Sequence, residues 1–449
     1  MKYFDQGLDE NKIRQISKIK NEPKWMLNYR LRSYREFIEK KLPTWGPDLT
    51  DISFENIIYY GSDQNGVRSD WKDVPKDVKE QFDELNIPEH ERDVLAGVST
   101  QYESEILYHR LKDKYSSYGI VFDTIENGLL NYSELFKKYF GKLVNFNENK
   151  FTALNGAVWS GGSFVYIPKG VKMDLPIETY FRINAELMGQ FERTLIIADE
   201  DSEVHYIEGC TAPQLLRSSL HSAVVEIYAL RGAKVRYTTL QNWSKNVYNL
   251  VTKRALTKEN ASVEWLDVNI GSKVTMKYPT VILEGSNSVG SVNSIALASK
   301  GQKIDSGAKM IHIGTNTKSI IRSTTLSKSN GLSSFRGLVD ISKKAERSDS
   351  YVRCDNVLLS RDSRIYSYPI LRVNNSTSLV EQEATASNIS KQRLSYMASR
   401  GLDEDVCREF IISGYFSSFN EQLPLEYTIE LERIIQLFNK SYNEDRIEE

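Results

Sequence analysis

The sequence predicts a mainly β protein whose central part, residues 151–387, forms a β-solenoid, in which short strands stack from one turn of the chain to the next. Runs rich in β-branched and aromatic residues recur there, as at 193–198 and 234–239, and each is bounded by Gly, Asn, Asp or Ser. About sixteen such runs follow one another at intervals of roughly ten to fifteen residues. Polar or glycine turns, such as RGAKV at 231–235 and SGAKM at 306–310, precede the strands.

The regular spacing of these strands favours a repeat array over a single closed sandwich. In a coil of strands each turn must reverse the chain tightly, so small or polar residues are expected at the corners of successive turns. Each strand must also stack on the strand of the turn below it. A β-propeller and a large β-sandwich are the alternative folds for the same set of strands.

Residues 1–150 are predicted to form a mixed, mainly helical region that packs on one end or side of the solenoid. A helical pattern of apolar residues follows Asp9, and a second begins after Pro23, a residue that suits the start of a helix. Further helices are predicted at 75–82 and 92–115. The histidines of this region have no cysteine or histidine partner at ligand spacing, so they are expected to be ordinary polar residues and not metal ligands.

Residues 388–449 return to helix and are predicted to form a C-terminal helical domain. One helix covers 390–397, and the acidic residues at 403–405 suit the first turn of a second helix, which is predicted to end at Gly414. A third helix is expected from about residue 425 onwards. The apolar stripes of these helices suit packing on the sheet, but the apolar residues between them also suit docking of a partner protein.

Composition and missing motifs narrow the function. The 449 residues include 58 basic and 60 acidic side chains, and the net charge of -2 disfavours nucleic acid as the main ligand. Neither a signal-peptide pattern nor an apolar run of about twenty residues is present, so secretion and membrane spanning are not predicted. Three cysteines without a CxxC pair favour a reducing compartment. The absence of a Walker loop and of HExxH, GxSxG and GxGxxG motifs argues against ATP binding by this chain and against ordinary hydrolase or dehydrogenase chemistry.

Cys210 is the first candidate for chemistry. It lies at the end of a predicted strand, where a lone cysteine is most often a small buried apolar group. The strands around it, however, carry polar and charged residues at positions that a plain core would fill with Val or Leu. If these side chains point inward, they form an electropositive lumen, which favours the thiolate form of Cys210. They are Arg182, Asn184, Gln241, Trp243 and Lys253.

Cys354 is the second candidate, and Arg353 lies beside it. Further along the chain, Glu381 and Glu383 are two residues apart and therefore share one face of a strand. Such a pair facing water is commonplace. Facing a cysteine of a neighbouring turn, the pair becomes a mixed sulfur and oxygen site that is able to hold iron. The third cysteine, Cys407, lies on a helical apolar stripe and is predicted to be core.

Several motifs carry a resemblance to a known family. The longer ones are NGAVWSGGSF at 155–164, GQFERTLII at 189–197, EGCTAP at 208–213, LHSAVVE at 220–226 and YNLVTKR at 248–254. The shorter ones are NEPKWML at 21–27, YFRIN at 180–184, QNW at 241–243, KMIH at 309–312 and LPLE at 423–426. Together they resemble the SufB/SufD family of iron–sulfur cluster assembly proteins, and its SufB members in particular. The resemblance covers nearly the whole chain.

The resemblance implies a right-handed parallel β-helix core with helical ends, and a scaffold protein that is not itself an enzyme. Such a scaffold accepts persulfide sulfur and iron and passes a transient iron–sulfur cluster to apoproteins. The implied partners are the ATPase SufC, which would hydrolyse ATP and dock on the C-terminal helices, a SufD paralogue or a second SufB copy, and the desulfurase SufS with its sulfur-transfer protein SufE or SufU. The implied compartment is the bacterial cytoplasm, or a plastid or apicoplast, and flavin binding stays open.

The resemblance also implies roles for individual residues. Cys210 matches the lumen cysteine that is expected to accept sulfur, and the five polar residues named with it match positions proposed to line a sulfur path. Cys354 matches the cysteine expected near a subunit interface, where iron and the nascent cluster would be held with Glu381 and Glu383. The chain departs from the family at Gln382. Most members have histidine there, and an amide binds iron poorly compared with an imidazole.

Two other functions are compatible with the sequence. The loss of that histidine fits a structural subunit that, like SufD, completes the complex without holding a cluster. A carbohydrate-active β-helix enzyme is the third hypothesis, and it would require paired acidic residues beside a groove.

Overall fold

The computed structural model describes residues 2–62, 97–102, 104–183, 186–212 and 218–420, together with residues 428 and 432. Its largest part is a parallel β-solenoid, which confirms the predicted fold class and excludes the propeller and the sandwich. Helices lie before and after the solenoid along the chain. In the part of the chain that the structure describes, no helix is both long enough and apolar enough to cross a membrane.

The strands of the described residues are named here in chain order. They are β1 (Lys2–Tyr3), β2 (Gly61–Ser62), β3 (Gly97–Tyr102), β4 (Glu105–Leu111), β5 (Val121–Thr124), β6 (Ser163–Ile167), β7 (Ile177–Arg182), β8 (Gly189–Gln190), β9 (Arg193–Ala198), β10 (Glu203–Thr211), β11 (Ser219–His221), β12 (Val224–Ala229), β13 (Lys234–Trp243), β14 (Val247–Thr257), β15 (Ser262–Gly271), β16 (Val274–Lys277), β17 (Thr280–Leu283), β18 (Val289–Ala298), β19 (Lys303–His312), β20 (Lys318–Ser327), β21 (Leu332–Ile341), β22 (Asp349–Leu358), β23 (Arg364–Val373) and β24 (Leu379–Asn388).

Two long sheets form the walls of the solenoid. Sheet one has the strand order β24-β22-β20-β18-β15-β13-β10-β7-β3-β4, and its strands from β7 to β24 are parallel neighbours. Sheet two follows the order β23-β21-β19-β16-β14-β12-β9-β6-β5, with the short strands β8, β11 and β17 beside this path. Each wall ends in a ten-residue edge strand, β24 in sheet one and β23 in sheet two.

Successive turns stack because inward residues of like character fall on top of one another. Tyr206, Tyr237 and Trp265 are aligned in register, with ring centroids 4.9 and 5.1 Å apart. Their neighbours in the same core cluster are mainly Val, Ile and Ala, residues that suit a pleated and buried surface. The alternation of inward and outward side chains along each strand therefore sets the register of the whole stack.

The corners of the solenoid carry the polar residues that the turn phrases predict. Asn260, Asn287 and Asn316 all have positive φ, between 55° and 59°, a region that asparagine tolerates better than most residues. Their side chains form a ladder: Asn287 donates to Asn260 at 3.0 Å, and Asn316 donates to Asn287 at 3.3 Å. The ladder satisfies the exposed amides while it aligns one turn on the next.

The helices of the described residues are numbered in the same way. They are α1 (Glu10–Ile19), α2 (Lys24–Glu39), α3 (Asp113–Ser116), α4 (Ile125–Asn131), α5 (Ser133–Tyr139), α6 (Lys150–Val158), α7 (Lys391–Ala398) and α8 (Glu404–Asn420).

The first two helices begin where the sequence predicts. The side chain of Asp9 caps α1 by accepting a hydrogen bond from the backbone of Lys12 at 2.8 Å, and Pro23 precedes α2. Helix α6 spans the predicted boundary at residue 150, and its residues 151–158 are all buried. The predicted helix at 75–82 lies outside the described residues.

The helix predicted at 92–115 is wrong over 97–102 and 105–111, which form β3 and β4, while its residues 92–96 and 103 lie outside the described residues. The physical reason is tertiary pairing: β3 joins the end of sheet one beside β7, in register from Gly97 with Ile177 to Tyr102 with Arg182, and β4 runs antiparallel to it. Strand preference depends on such neighbours more than on the local pattern.

The second C-terminal helix does not end at Gly414, because α8 continues to Asn420. A glycine inside a helix costs about 1 kcal/mol relative to alanine. Burial of Ile412 and Phe416 against the outer face of sheet one offsets that cost. The helix predicted from residue 425 onwards lies outside the described residues, apart from Thr428 and Glu432.

Candidate functional site

Cys210 lies on β10 with its side chain in the closed lumen of the solenoid. It is fully buried, and the register aligns it with Phe181 on one side and Gln241 on the other. Trp243 belongs to the same cluster of buried side chains. The opposite side of the thiol is polar: Glu208 Oε1 lies 3.7 Å from the sulfur and Gln241 Nε2 lies 4.0 Å from it. The thiol therefore stands at the border between an apolar and a charged part of the lumen.

Four charged side chains form the polar part. Lys253 Nζ lies 3.3 Å from Asp267 Oδ1 and 3.7 Å from Glu208 Oε1, and it also donates to a threonine hydroxyl. Lys277 Nζ lies 3.2 Å from Asp267 Oδ1 and 3.2 Å from Gln241 Oε1. All four charged groups are at most 2% exposed. We call Glu208, Lys253, Asp267 and Lys277 the lumen charge cluster.

A histidine continues this network. His221 Nδ1 contacts Asn249 Oδ1 at 2.7 Å, and Asn249 donates to Gln241 Oε1 at 2.9 Å. The other ring nitrogen of His221 pairs with the Glu192 carboxylate. Burial alone would lower the pKa of His221, but Glu192, helped by Asn249 and Glu208, acts against burial and the pKa is raised. Trp243 packs on the imidazole, with ring centroids 4.6 Å apart.

The surroundings of Cys210 differ from the electropositive lumen that the sequence suggested. Burial, followed by the carboxylates of Glu208 and Glu192, raises the pKa of the Cys210 thiol well above its ordinary value. Lys253 and Lys277 act in the opposite direction but do not outweigh these effects. The expectation that the environment favours the thiolate is therefore wrong for this closed state, because carboxylates accompany the lysines.

An unbroken column of buried polar residues connects this cluster to the second cysteine. In sheet one the residues in register with Glu208 on successive strands have side chains that are at most 3% exposed. They are Thr239, Asp267, Ser294, Ser323 and Cys354. The Ser294 hydroxyl donates to Ser323 at 3.1 Å. Because the five intervals between Glu208 and Cys354 are each about 4.8 Å, the column is about 24 Å long.

Cys354 lies on β22, one strand from the open edge of sheet one. Its side chain is 1% exposed, and burial, with a smaller effect of Asp355, raises the pKa of the thiol to about 12. The next residue of its column is Ala384 on the edge strand β24, and Ala384 is exposed. A single layer of backbone therefore separates Cys354 from the end of the solenoid.

The structure does not bring Glu381 and Glu383 to Cys354. They are in register with Tyr351 and Arg353, which alternate with Cys354 along β22, so they occupy the outer face of the sheet while Cys354 faces inward. Both carboxylates are exposed, and Glu383 accepts a hydrogen bond from the Tyr351 hydroxyl at 3.2 Å. Their role as iron ligands stays a prediction. Within the described residues no three His, Cys, Asp or Glu side chains are grouped so that they could hold a metal ion.

The remaining predicted residues differ in their placement. Arg182 is buried, but the register aligns it with Thr211 and not with Cys210, so it lies on the alternate face of its strand. Asn184 lies outside the described residues. Cys407 is fully buried on α8, as predicted for a core cysteine.

Comparisons with known proteins place this geometry in a family. The SufBD core domain, described as SUF system FeS cluster assembly, matches residues 181–415, and the SufBD protein N-terminal region matches residues 12–179. The chain belongs to the SufBD family. An iron-sulfur cluster assembly SufBD family protein from Staphylococcus saprophyticus is 49% identical over 432 residues, which cover 96% of this chain and 93% of the relative. A protein of the same description from Staphylococcus aureus strain MRSA252 is 50% identical over the same share of each chain.

Membership in the SufBD family makes this chain a component of iron–sulfur cluster assembly in the SUF system. The similarities are to SufB and SufD jointly. The carbohydrate-active alternative gains no support, because both parts of the chain match SufBD regions.

Several site residues of this SufBD protein were missed by sequence reasoning. Glu208, Asp267 and Lys277 complete the lumen charge cluster, and Glu192 and His221 extend it. A signal was present, because each is a charged or titratable residue inside a run that otherwise has strand character. A buried charge is rare unless it is paired, so each should have prompted a search for a partner.

The burial of the thiols leads to a prediction about reactivity. In the folded chain, near the ordinary thiol pKa of about 8.5, we expect iodoacetamide to label Cys210, Cys354 and Cys407 slowly or not at all, because all three are buried. In denaturant all three should react, and mass spectrometry of the labelled peptides would measure both states. Rapid labelling of Cys210 in the folded chain would contradict a closed lumen.

Proposed function

We propose that this SufBD protein is the scaffold subunit on which an iron–sulfur cluster is assembled, with Cys210 as the sulfur acceptor and Cys354 as the ligand that holds iron and the nascent cluster. The observation that carries the proposal is the column of buried polar residues between the two cysteines. A β-solenoid gains most stability from apolar inward residues, and polar ones in consecutive turns cost desolvation. A role in sulfur transfer would account for polar residues at positions where apolar residues would stabilise the fold more.

Sulfur acceptance requires deprotonation of Cys210. Its thiolate would attack the terminal sulfur of a donor persulfide, so that a Cys210 persulfide forms and the donor leaves as a thiolate. The nearest proton acceptor is Glu208, whose Oε1 lies 3.7 Å from the sulfur. Delivery to Cys354 as sulfide takes two further electrons, which we assign to a thiol reductant that is oxidised to the disulfide. Lys253 and Lys277, which contact the carboxylates at the start of the column, and the hydroxyls of Thr239, Ser294 and Ser323 within it would hold the anion.

A sulfur donor cannot contact Cys210 in the closed state, because the thiol is fully buried. Loading therefore requires the lumen to open. We assign the opening to the SUF ATPase SufC, docked on the C-terminal helices, where Tyr396 and Phe410 are 62% and 58% exposed. The donor is a cysteine desulfurase, SufS, with SufE or SufU as the transfer protein.

The open end of the solenoid supports a second β-helix as partner. On β23 and β24 the side chains of Ile370, Val373 and Leu379 are 48%, 42% and 58% exposed, and among the described strands neither has a neighbour on its outer edge. Exposed edges of this length and apolarity pair with other chains unless they are covered. A SufD paralogue or a second copy of this chain would cover them and would enclose Cys354 with residues of its own.

A structural, SufD-like role is the second candidate. It is favoured by the separation of Cys354 from Glu381 and Glu383, and by an amide at Gln382 in place of an imidazole. A subunit of this kind would complete the complex while its partner supplied the cluster ligands.

Anaerobic reconstitution separates the two candidates. The full-length chain, purified with its ATPase and β-helix partners, is incubated with ferrous iron and sulfide, and the visible charge-transfer absorption is measured. We expect the colour to be lost in Cys354→Ser and retained in Cys407→Ser, the matched buried cysteine on α8. Full colour in Cys354→Ser, with the complex intact by gel filtration, would reject the scaffold assignment and favour the SufD-like role.

A further inference from the structure

A cleft on the outer face of sheet one is separate from the lumen. It has a volume of about 840 Å³. It lies between four strands of sheet one, β18, β20, β22 and β24, and the helices α7 and α8. Cavities of this size typically hold a small organic molecule. Ser323 of the polar column also borders the cleft, but Arg322, Thr324 and Asp355 line it from the face opposite to Cys354, so this charged side of the cleft is not part of the proposed sulfur path.

Three arginines converge on this cleft: Arg322 on β20, Arg353 on β22 and Arg393 on α7. Among the residues that line it, the only carboxylate in the described part of the chain is Asp355. Asp355 accepts from Arg353 Nε at 2.9 Å and from the Thr385 hydroxyl at 2.9 Å, so it is already engaged. Three arginines and one aspartate therefore give the lining of the cleft a net charge of about +2.

Two of these arginines are neighbours in the sheet, and Arg353 is already paired with the Asp355 carboxylate. Arg322 and Arg353 are direct partners on neighbouring parallel strands, so their side chains leave the same face about 4.8 Å apart. Like charges directly opposite one another destabilise a sheet. An anion between the guanidinium groups would remove the repulsion and accept charge-assisted, bidentate hydrogen bonds from them.

The other wall of the cleft is different in character. Val357 of β22, Ile389 between β24 and α7, and Ile411 and Tyr415 of α8 line it. A simple inorganic ion would leave this apolar wall unused. The combination suits a molecule with anionic groups at one end and a flat or apolar body at the other.

We propose that the cleft binds a phosphorylated organic molecule of about nucleotide size, with its phosphates held by Arg322, Arg353 and Arg393 and its body on the apolar wall. Because Arg393 belongs to α7 and the other two arginines to sheet one, the ligand links the C-terminal helices to the solenoid. Occupancy then determines how firmly α7 and α8 sit on the sheet.

Binding of ADP, pyrophosphate and adenosine to the full-length chain, purified without the ATPase, tests this proposal by isothermal titration calorimetry. We expect ADP to bind, pyrophosphate to bind more weakly and adenosine not to bind. Arg322→Gln and Arg393→Gln should each weaken ADP binding about tenfold, since each removes charge-assisted hydrogen bonds. Arg364→Gln removes an equal charge from an exposed position on β23 and should leave the affinity unchanged.

Hydrogen–deuterium exchange supplies a second measurement. ADP should slow amide exchange in α7 and α8 of the wild-type chain, and this protection should be lost in the Arg322→Gln/Arg393→Gln double variant. The proposal is overturned if neither ADP nor pyrophosphate binds, or if the double variant binds ADP as tightly as the wild type. Equal affinities for pyrophosphate and ADP would overturn the assignment of the apolar wall.

Discussion

Replacing Glu226 with alanine should lower the free energy of unfolding by about 3–5 kcal/mol, because it leaves the buried Arg193 guanidinium without its counter-charge. The two side chains are 0% and 1% exposed, and Arg193 Nη2 lies 2.9 Å from Glu226 Oε2. Glu226 also accepts hydrogen bonds from the backbone N–H groups of Gly141, Leu143 and Val144, at 2.8 to 3.0 Å. One carboxylate on β12 thus fastens the segment before α6 to the solenoid.

Urea denaturation, monitored by tryptophan fluorescence, would measure the loss of unfolding free energy in Glu226→Ala. A matched control is Glu264→Ala, which removes a carboxylate paired with Arg236 at 2.7 Å, with side chains 24% and 43% exposed. Surface pairs of this kind contribute about 0–1 kcal/mol. If both variants lost the same small amount of unfolding free energy, water would be replacing the Glu226 carboxylate. The Arg193–Glu226 pair would then not hold the segment before α6 on the solenoid.

The fold could be predicted because its signals are local. Each strand of the solenoid is bounded by its own turn residues, and β9 coincides with the predicted run at 193–198. The error at 97–102 and 105–111 has the opposite origin, since β3 becomes a strand by pairing with β7, which lies far along the chain, and β4 becomes one by pairing with β3. Gly414 was predicted as a helix end on its own preference, which packing of Phe416 overrides.

The candidate site could be predicted only in part, because it depends on register. Gln241 and Trp243 were found from alternation within a single strand, and Lys253 was found as a charged residue on the following strand. That Glu208 and Cys354 belong to one column follows from five successive strand pairings, which no single motif contains. A one-residue shift in any of them would place the following residues on the other face. The opposite faces of Cys354 and Glu383 follow from the same register.

Replacing Lys253 with methionine should lower the free energy of unfolding by about 3–5 kcal/mol near neutral pH, since it leaves the buried Glu208 carboxylate without the lysine that balances its charge and removes one of the two lysines beside Asp267. Burial alone would lower the pKa of Lys253, but the Asp267 and Glu208 carboxylates outweigh burial and the pKa is raised. Lys277→Met is the matched variant. Burial lowers the pKa of Lys277 to about 8, with repulsion from Lys253 acting in the same direction, so its loss should cost less.

The contributions of Lys253 and Lys277 to the free energy of unfolding should also change with pH in opposite directions. A lysine with a raised pKa in the folded chain stabilises it below the unfolded pKa of about 10.4 and loses this contribution as the pH rises through the folded pKa. The cost of Lys253→Met should therefore shrink at alkaline pH. Lys277 contributes with the opposite sign. Between the pKa of Lys277 in the folded chain, about 8, and its pKa in the unfolded chain, the unfolded chain binds more protons than the folded chain. The wild type should gain stability relative to Lys277→Met across that interval.

Urea denaturation of both variants and the wild type across neutral to alkaline pH would measure these opposite slopes. If the free energy of unfolding changed with pH in the same way for both variants, the two ammonium groups would share one environment. Their different contacts with Glu208 would then have no effect on stability. Opposite slopes would show that Lys253 is held as a cation between two carboxylates, while Lys277 can release a proton near neutral pH at little cost. A permanently cationic Lys253 beside a Lys277 that exchanges its proton would suit the sulfur anion that the proposed function places beside Cys210.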